Sequence, residues 1–179
     1  MPERTVARAF SVSARAPGSE LRFRPVADSD KPFVFALYAQ VREQELAPVP
    51  WPDEAKRSFL LDQALLQHQH YVANYPGADL LVIESDPGPI GRIYVYRSKD
   101  EIRLMDVALL PEWRNRGVGG VLLQELMDEA RRTHRSITLH VEPENPAQRL
   151  YQRLGFRLIE HRGVYDFLGW QPDGADEIS

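Results

Sequence analysis

Apolar residues recur along the chain with two different spacings, and these spacings predict a mixed succession of strands and helices. Alternating or short continuous apolar runs predict strands at 21–26, 80–84, 90–97, 101–109, 136–141, 156–160 and 164–168. Helical spacing predicts a helix that begins at residues 28–30 and ends before Pro48, and others at about 53–73, from 119 to about 134, and from Pro146 onward. The resulting order, β-α-α-β-β-β-α-β-α-β-β, is typical of one α/β domain.

The helix predicted from Gly119 follows a segment rich in glycine and arginine. Its apolar stripe consists of Leu122, Leu123, Leu126, Met127 and Ala130. The segment at its start reads Arg114, Asn115, Arg116, Gly117, Val118, Gly119 and Gly120. N–H groups of a first helical turn lack partners within the helix, and the helix dipole adds positive charge there. Glycines let an anion approach the backbone, so the segment predicts a diphosphate site.

Two common phosphate-binding motifs do not fit this segment. A P-loop requires Lys and then Ser or Thr after its glycines, and no such pair follows Gly117 or Gly119. A dinucleotide-binding fingerprint requires a glycine where Leu122 stands, and its glycines directly follow a strand, whereas residues 111–116 intervene here. The sequence therefore disfavours nucleoside triphosphate hydrolysis and dinucleotide binding.

Two segments together resemble the acetyl-CoA-binding region of the GNAT superfamily of N-acetyltransferases. The first is the pattern Arg-x-x-Gly-x-Gly that begins at Arg114, between a predicted strand and an amphipathic helix. The second is 139–156, LHVEPENPAQRLYQRLGF, with its Asn, Ala-x-x-x-Tyr and Leu-Gly-Phe in the order that family shows. The resemblance covers about 102–156 and implies a single-domain GNAT fold, α/β (α+β) in class, with a mixed, mostly antiparallel central sheet flanked by helices.

The resemblance implies acetyl-CoA as cosubstrate and assigns it to three parts of the chain. Residues 114–120 would hold the pyrophosphate. The pantetheine arm would lie beside the main-chain amides of Val107, Ala108 and Leu109, which are equally readable as an ordinary core strand. Asn145 would contact CoA, and it is also suited to cap the helix that begins at Pro146.

Tyr151 stands where similar enzymes place a tyrosine that protonates the CoA thiolate. A phenol is protonated at neutral pH and can donate as the sulfur gains charge. The alternative is a packing role against Leu154 and Phe156. The resemblance favours the catalytic role.

The group that accepts the amine proton is left open by the sequence. Asp106 in the strand at 101–109 and Glu142 at the end of the next strand are candidates, and a water relay is another. Asp106 is equally suited to accepting hydrogen bonds from backbone N–H groups of a loop. In similar enzymes the first two helices and their connector form one wall of the acceptor site. Here that wall would be acidic and aromatic and would attract a cationic amine, and the alternative is that its residues are solvated helix ends. Glu43 and Glu45 are also conceivable as bases. The residues of that wall are Glu43, Glu45, Trp51, Asp53 and Glu54.

Composition narrows the class of protein further. The 179 residues suit one domain, with 43% hydrophobic and 27% charged residues. A net charge of −4 argues against sequence-independent nucleic-acid binding. Cysteine is absent, which excludes disulfides and Cys-ligated metals, and no apolar run is long enough for a membrane span. We expect no metal, because His68 and His70 diverge on a helix and His134 and His140 have no spaced partner.

These observations predict an acetyl-CoA-dependent N-acetyltransferase that acts on a primary amine of a small molecule or peptide. A CoA-binding module without turnover and a transferase of longer acyl groups are the alternatives. Residues 1–19 are expected to be a disordered lead-in, 20–170 the catalytic domain and 171–179 a flexible acidic tail. We expect a cytoplasmic protein with no nucleic-acid or membrane partner, and a homodimer is left open.

Overall fold

The computed structural model describes residues 8–10 and 13–172. Apolar alternation gives the strands and one-sided apolar stripes give the helices, in the order that the sequence predicts apart from one added strand at the start. The elements are β1 (Ala14–Ala16), β2 (Ser19–Pro25), α1 (Lys31–Leu46), α2 (Asp53–Asn74), β3 (Asp79–Ser85), β4 (Gly88–Arg97), β5 (Glu101–Leu109), α3 (Val118–Thr133), β6 (Ser136–Val141), α4 (Ala147–Arg153), β7 (Arg157–Arg162) and β8 (Tyr165–Trp170).

The strands form one sheet in the order β1-β2-β3-β4-β5-β6-β8-β7. Every neighbouring pair is antiparallel except β5 and β6, which are parallel and are joined through α3. Helices α1 and α2 lie together on one face, while α3 packs on β5 and β6 from the other. This mixed sheet confirms the predicted fold class.

The predicted disordered lead-in is wrong for the last residues of that segment. Ala14–Ala16 pairs with Ser19–Leu21 as an antiparallel hairpin. Ala9 and Phe10 are buried, with the Phe10 ring 4.8 Å from that of Phe23, because β2 and α3 leave an apolar surface that this segment covers. The rest of the lead-in, at 1–7 and 11–12, and the tail from 173 onward lie outside the described residues.

The residues predicted at two helix starts lie at the observed starts, although only Asn145 accepts a hydrogen bond from its own helix. Asp30 precedes α1, and its carboxylate accepts hydrogen bonds from the Ala27 N–H at 2.7 Å and from the Arg24 guanidinium. The Arg24 hydrogen bond and that backbone N–H lower the pKa of Asp30 to about 2. Asn145 Oδ1 accepts from the Ala147 N–H at 2.9 Å at the start of α4.

A bulge in β5 decides which of its side chains face which side of the sheet. Tyr94 pairs with Asp106 and Val95 with Leu104, so Met105 is the extra residue. Because the bulge shifts the alternation by one residue, Ile102 and Leu104 before it and Val107 and Leu109 after it all pack on the core beneath α3. Asp106 is thereby directed to the opposite face, toward α1 and α2.

Strands β5 and β6 separate beyond the bulge. The pairing of β5 with β6 ends at Leu104 and Leu139, although β5 continues to Leu109 and β6 to Val141. In the described part of the chain, no strand covers the β6-facing edge of β5 past Leu104. The separation opens the sheet at its centre and leaves main-chain groups of β5 accessible.

Candidate active site

A cavity of about 520 Å³ lies where β5 and β6 separate. Its floor is formed by residues 104–108 of β5 and 139–142 around the end of β6, and α4 contributes Tyr151. Helices α1 and α2 close the opposite side. The volume is typical of a small-molecule site. Of the residues predicted from sequence, Asp106, Val107, Ala108, Glu142, Asn145 and Tyr151 line this cavity.

Asp106 forms an ion pair with Arg92, which projects from the neighbouring strand β4. The Arg92 side chain is 5% exposed, and it also donates hydrogen bonds to the Val34 carbonyl and to Gln67. Burial alone would lower the pKa of Arg92, but the Asp106 carboxylate, together with Tyr94 and Tyr71, outweighs burial, so its pKa lies above the ordinary value. Asp106 therefore balances a buried arginine, rather than satisfying loop backbone.

Tyr151 is buried in α4 and packs beside Phe156, with the ring centroids 5.6 Å apart. It also lines the cavity, so the packing role and access to a bound molecule coexist. Burial and, secondarily, the Asp106 charge raise the pKa of Tyr151 to about 12. The phenol is consequently protonated at neutral pH and lies within electrostatic reach of Asp106.

The glycine-rich segment follows a short turn after β5 and begins α3. Gly117 is the N-cap residue with φ of +81°, a conformation that L side chains rarely adopt. No side chain caps this helix end, and Gly117, Gly119 and Gly120 are at least partly exposed. The first-turn N–H groups are therefore open to an anion, as the sequence predicts.

The three glycines have different surroundings. A Cβ at Gly119 would lie 3.3 Å from Leu150 Cδ2 of α4, whereas one at Gly120 would meet nothing within 4 Å. A Cβ at Gly117 would lie 3.3 Å from Pro17 Cδ, in the turn between β1 and β2. Only Gly120 thus leaves open space on the helix start, while Gly119 allows α3 to approach α4.

The arginines of the segment fold back onto nearby carbonyls. Arg114 Nε donates to the Leu109 carbonyl at 3.1 Å. Arg116 donates to the Glu112 carbonyl, and its guanidinium lies 4.4 Å from the Trp113 ring centroid. Asn115 has φ of +58° and, like both arginines, is exposed. Val118, by contrast, is buried in the core.

The other side of the cavity consists mostly of aromatic and basic side chains from α1, α2 and the C-cap of α2. They recur at helical spacing, so each helix presents one face to the cavity. The residues are Tyr38, Val41, Arg42, Gln67, His70, Tyr71 and Tyr75. The sequence reasoning missed this set, although the spacing of 67, 71 and 75 is a signal that could have indicated it.

The predicted acidic acceptor wall is wrong in its residues. None of Glu43, Glu45, Trp51, Asp53 and Glu54 lines the cavity; all five are exposed. Trp51 packs edge-on against Phe59, with centroids 5.5 Å apart. The error arises because the connector between α1 and α2 lies away from the cavity, which is lined by residues 38–42 of α1 and by the C-terminal part of α2 instead.

The family of the chain follows from its match to known proteins. A family model described as "Acetyltransferase (GNAT) domain" matches residues 76–158, which include the separated strands, the glycine-rich segment and Tyr151. These residues form a GNAT acetyltransferase domain. The fold agrees with the PaiA N-acetyltransferase from Thermoplasma acidophilum, solved in complex with coenzyme A, at a TM-score of 0.63 and 16% identity, covering 84% of this chain and 98% of that one.

Two curated relatives match shorter parts of this GNAT chain. A putative [ribosomal protein bS18]-alanine N-acetyltransferase of Bacillus subtilis (strain 168) is 29% identical over 90 residues, covering 49% of this chain and 60% of that protein. The cysteine-rich protein 2-binding protein of Mus musculus is 39% identical over 57 residues, 32% of this chain. The chain thus spans 60% of the first and 7% of the second of these relatives.

The histidines of this GNAT domain are dispersed through the fold. His68 contacts the Phe35 ring, and His140 stacks on Phe167 with centroids 4.8 Å apart. Burial, followed by nearby positive charges, lowers the pKa of both. Among residues 8–10 and 13–172, no group of three or more His, Asp or Glu side chains could hold a metal ion. In the same part of the chain, no helix combines the length and apolar character needed to cross a membrane.

Proposed function

We propose that this protein is an acetyl-CoA-dependent N-acetyltransferase that transfers an acetyl group directly to a primary amine. The observation that carries the proposal is the cavity at the separation of β5 and β6, because it joins an uncovered strand edge, a buried phenol and a carboxylate in one space. Membership of the GNAT superfamily and the CoA-bound structural relative support acetyl-CoA as the donor.

The donor would be held at two places on this chain. The open N–H groups at the start of α3, residues 118–120, suit the pyrophosphate, with the exposed Arg114, Asn115 and Arg116 beside them. Along Val107, Ala108 and Leu109, the main-chain groups that face the uncovered edge of β5 suit the amides of the pantetheine arm, which would pair as an added strand does. Asn145, at the cavity rim, would add a contact while it caps α4.

The residues of the cavity can supply the proton transfers that the reaction needs. The amine nitrogen forms a bond to the thioester carbonyl carbon, the carbon–sulfur bond breaks, and the sulfur takes a proton. Tyr151 would donate that proton, since its phenol is protonated at neutral pH. The proton lost by the amine would pass to Asp106 or Glu142, directly or through water. Asp106 lies on β5 and Glu142 directly follows β6, the two strands that separate.

Calorimetric titration with acetyl-CoA, followed by a thiol-release assay over a panel of primary amines, tests this function. We expect saturable binding and release of free CoA thiol that depends on one class of amine, with mass spectrometry showing an amide on the acceptor. Binding without thiol release for any small amine or peptide would instead indicate a CoA-binding module. Absence of binding would contradict the assignment of residues 114–120.

A further inference from the structure

The acceptor end of the cavity contains a positive charge that no carboxylate balances. Arg42 of α1 lines the cavity and stacks over Tyr38, with its Cζ atom 4.0 Å from the ring centroid. Within 8–10 and 13–172, no Asp or Glu oxygen comes within ion-pair distance of Arg42. In a chain of net charge −4, an arginine left unpaired in a cavity suggests that its anion arrives with a ligand.

The other arginines around the cavity already have partners. Arg92 is paired with Asp106, and Arg103 donates to the carboxylate of Glu101 at 3.1 Å. Their charges are thus compensated within the protein. Of the three arginines that line the cavity in the described residues, Arg42 is the one without a carboxylate partner.

The charges of both Arg42 and Asp106 act on Tyr71. It lies on α2, lines the cavity and packs edge-on against Tyr94, with centroids 5.9 Å apart. Burial raises the pKa of Tyr71, Asp106 raises it further, and Arg92 and Arg42 oppose them. Both Asp106 and Arg42 therefore lie within electrostatic reach of this one phenol, with opposite charges.

We propose that the acceptor is a small primary amine that carries a carboxylate, which Arg42 binds while the amine points toward Asp106 and Tyr151. This inference rests on the proposed transferase function and names its substrate class. The cavity volume of about 520 Å³ must also admit the end of the donor, so the remaining space suits a small amino acid. A polyamine would bring a second positive charge toward Arg42, which disfavours it.

The inference reverses the expectation from the sequence that an acidic wall attracts a cationic acceptor. The carboxylates of that segment are exposed and lie away from the cavity, so they do not set its charge. Arginine suits a carboxylate because its planar guanidinium can form two parallel hydrogen bonds. Stacking on Tyr38 would hold that plane in a defined orientation.

Paired acceptors that differ only in the carboxylate test the inference. Glycine, β-alanine and γ-aminobutyrate are compared with their carboxamides, with simple alkylamines and with a short peptide, using kcat/KM from thiol release. For Arg42→Gln, we expect kcat/KM for the preferred amino acid to fall by about ten- to a hundredfold, and for its amide to change by less than about twofold. Because kcat/KM for each acceptor is compared between variant and wild type, the difference in basicity between the two amines does not affect the result.

Two further variants separate charge from structure. Arg42→Lys keeps a positive charge and should recover part of the activity with the amino acid. Arg57→Gln, on an exposed part of α2 that does not line the cavity, is the matched control and should leave kcat/KM unchanged for both acceptors. Acetyl-CoA affinity measured by calorimetry should be equal in all variants.

The outcomes distinguish this inference from the transferase function. Two outcomes would overturn the carboxylate inference and leave acetyl transfer standing. One is thiol release with amides, alkylamines or the peptide in preference to amino acids. The other is an equal effect of Arg42→Gln on kcat/KM for the acid and for the amide. Thiol release with no amine, despite acetyl-CoA binding, would contradict the transferase function itself.

Discussion

At the scale of single residues, burial determines what Tyr151 can contribute. A buried phenol resists ionisation, and the neighbouring Asp106 charge adds to that effect. The side chain is therefore a proton donor across the physiological pH range, although a weaker acid than a phenol in water. Its ring also packs on Phe156, so removal of the hydroxyl alone separates the chemical role from the structural one.

Tyr151→Phe should lower kcat by about a hundredfold, because proton donation to the leaving sulfur is lost while the ring remains. Acetyl-CoA affinity and the melting temperature should change little. In the wild-type enzyme, ionisation of this phenol should not reduce kcat below about pH 11, since its pKa is about 12. A variant with nearly unaltered turnover would make Tyr151 a packing residue.

At the scale of elements, different glycines at the start of α3 serve packing and the proposed anion binding. Gly117 makes the turn, Gly119 meets Leu150 of α4, and Gly120 has open space around it. A side chain added at residue 120 would therefore obstruct a ligand at the first-turn N–H groups without disturbing the packing of the protein. This difference allows the pyrophosphate assignment to be tested apart from stability.

Gly120→Ala should weaken acetyl-CoA binding by about tenfold or more, because a methyl group would hold the pyrophosphate away from the backbone. The melting temperature should be equal or slightly higher, since alanine favours helix over glycine by about 1 kcal/mol. Gly88→Ala, whose Cβ would also meet nothing within 4 Å, is the control in β4 and should leave affinity unchanged. Calorimetry and thermal melting measure both quantities; unchanged affinity in Gly120→Ala would remove residue 120 from the donor site.

At the scale of the whole molecule, one buried carboxylate joins three distant parts of the chain. Glu129 of α3 is 1% exposed, accepts two hydrogen bonds from Arg97 of β4 at 2.6 and 2.9 Å, and accepts another from the Ala9 N–H at 2.8 Å. Arg97 in turn donates to Asp79 of β3. The network links the N-terminal segment to the helix whose other end forms the proposed pyrophosphate site.

Glu129→Gln should lower the free energy of unfolding by about 3 kcal/mol, because it removes one partner of a buried ion pair. Asp128→Asn is the control: it alters the adjacent residue, whose pair with Arg131 is exposed, and should change stability by less than about 0.5 kcal/mol. Urea denaturation at neutral pH measures both variants. Equal stabilities would show that the network does not stabilise the fold.

Local patterns in the sequence are enough to predict every element except β1, and some of the chemistry that these elements carry. Periodicity placed β6 at Ser136–Val141 and α2 within a residue of its observed end, because apolar spacing reflects which side of an element is buried. The glycine-rich segment and Tyr151 were identified because a helix start and a phenol carry their properties locally.

Which of these residues meet depends on how the elements pack. The bulge at Met105 turned Asp106 toward Arg92, and the separation of β5 from β6 opened the cavity, yet neither leaves a periodic signal in the sequence. The cavity face of α1 and α2, with Arg42, was likewise set by how two helices cross the sheet. Contacts between residues far apart in the chain depend on packing, and local spacing does not encode them.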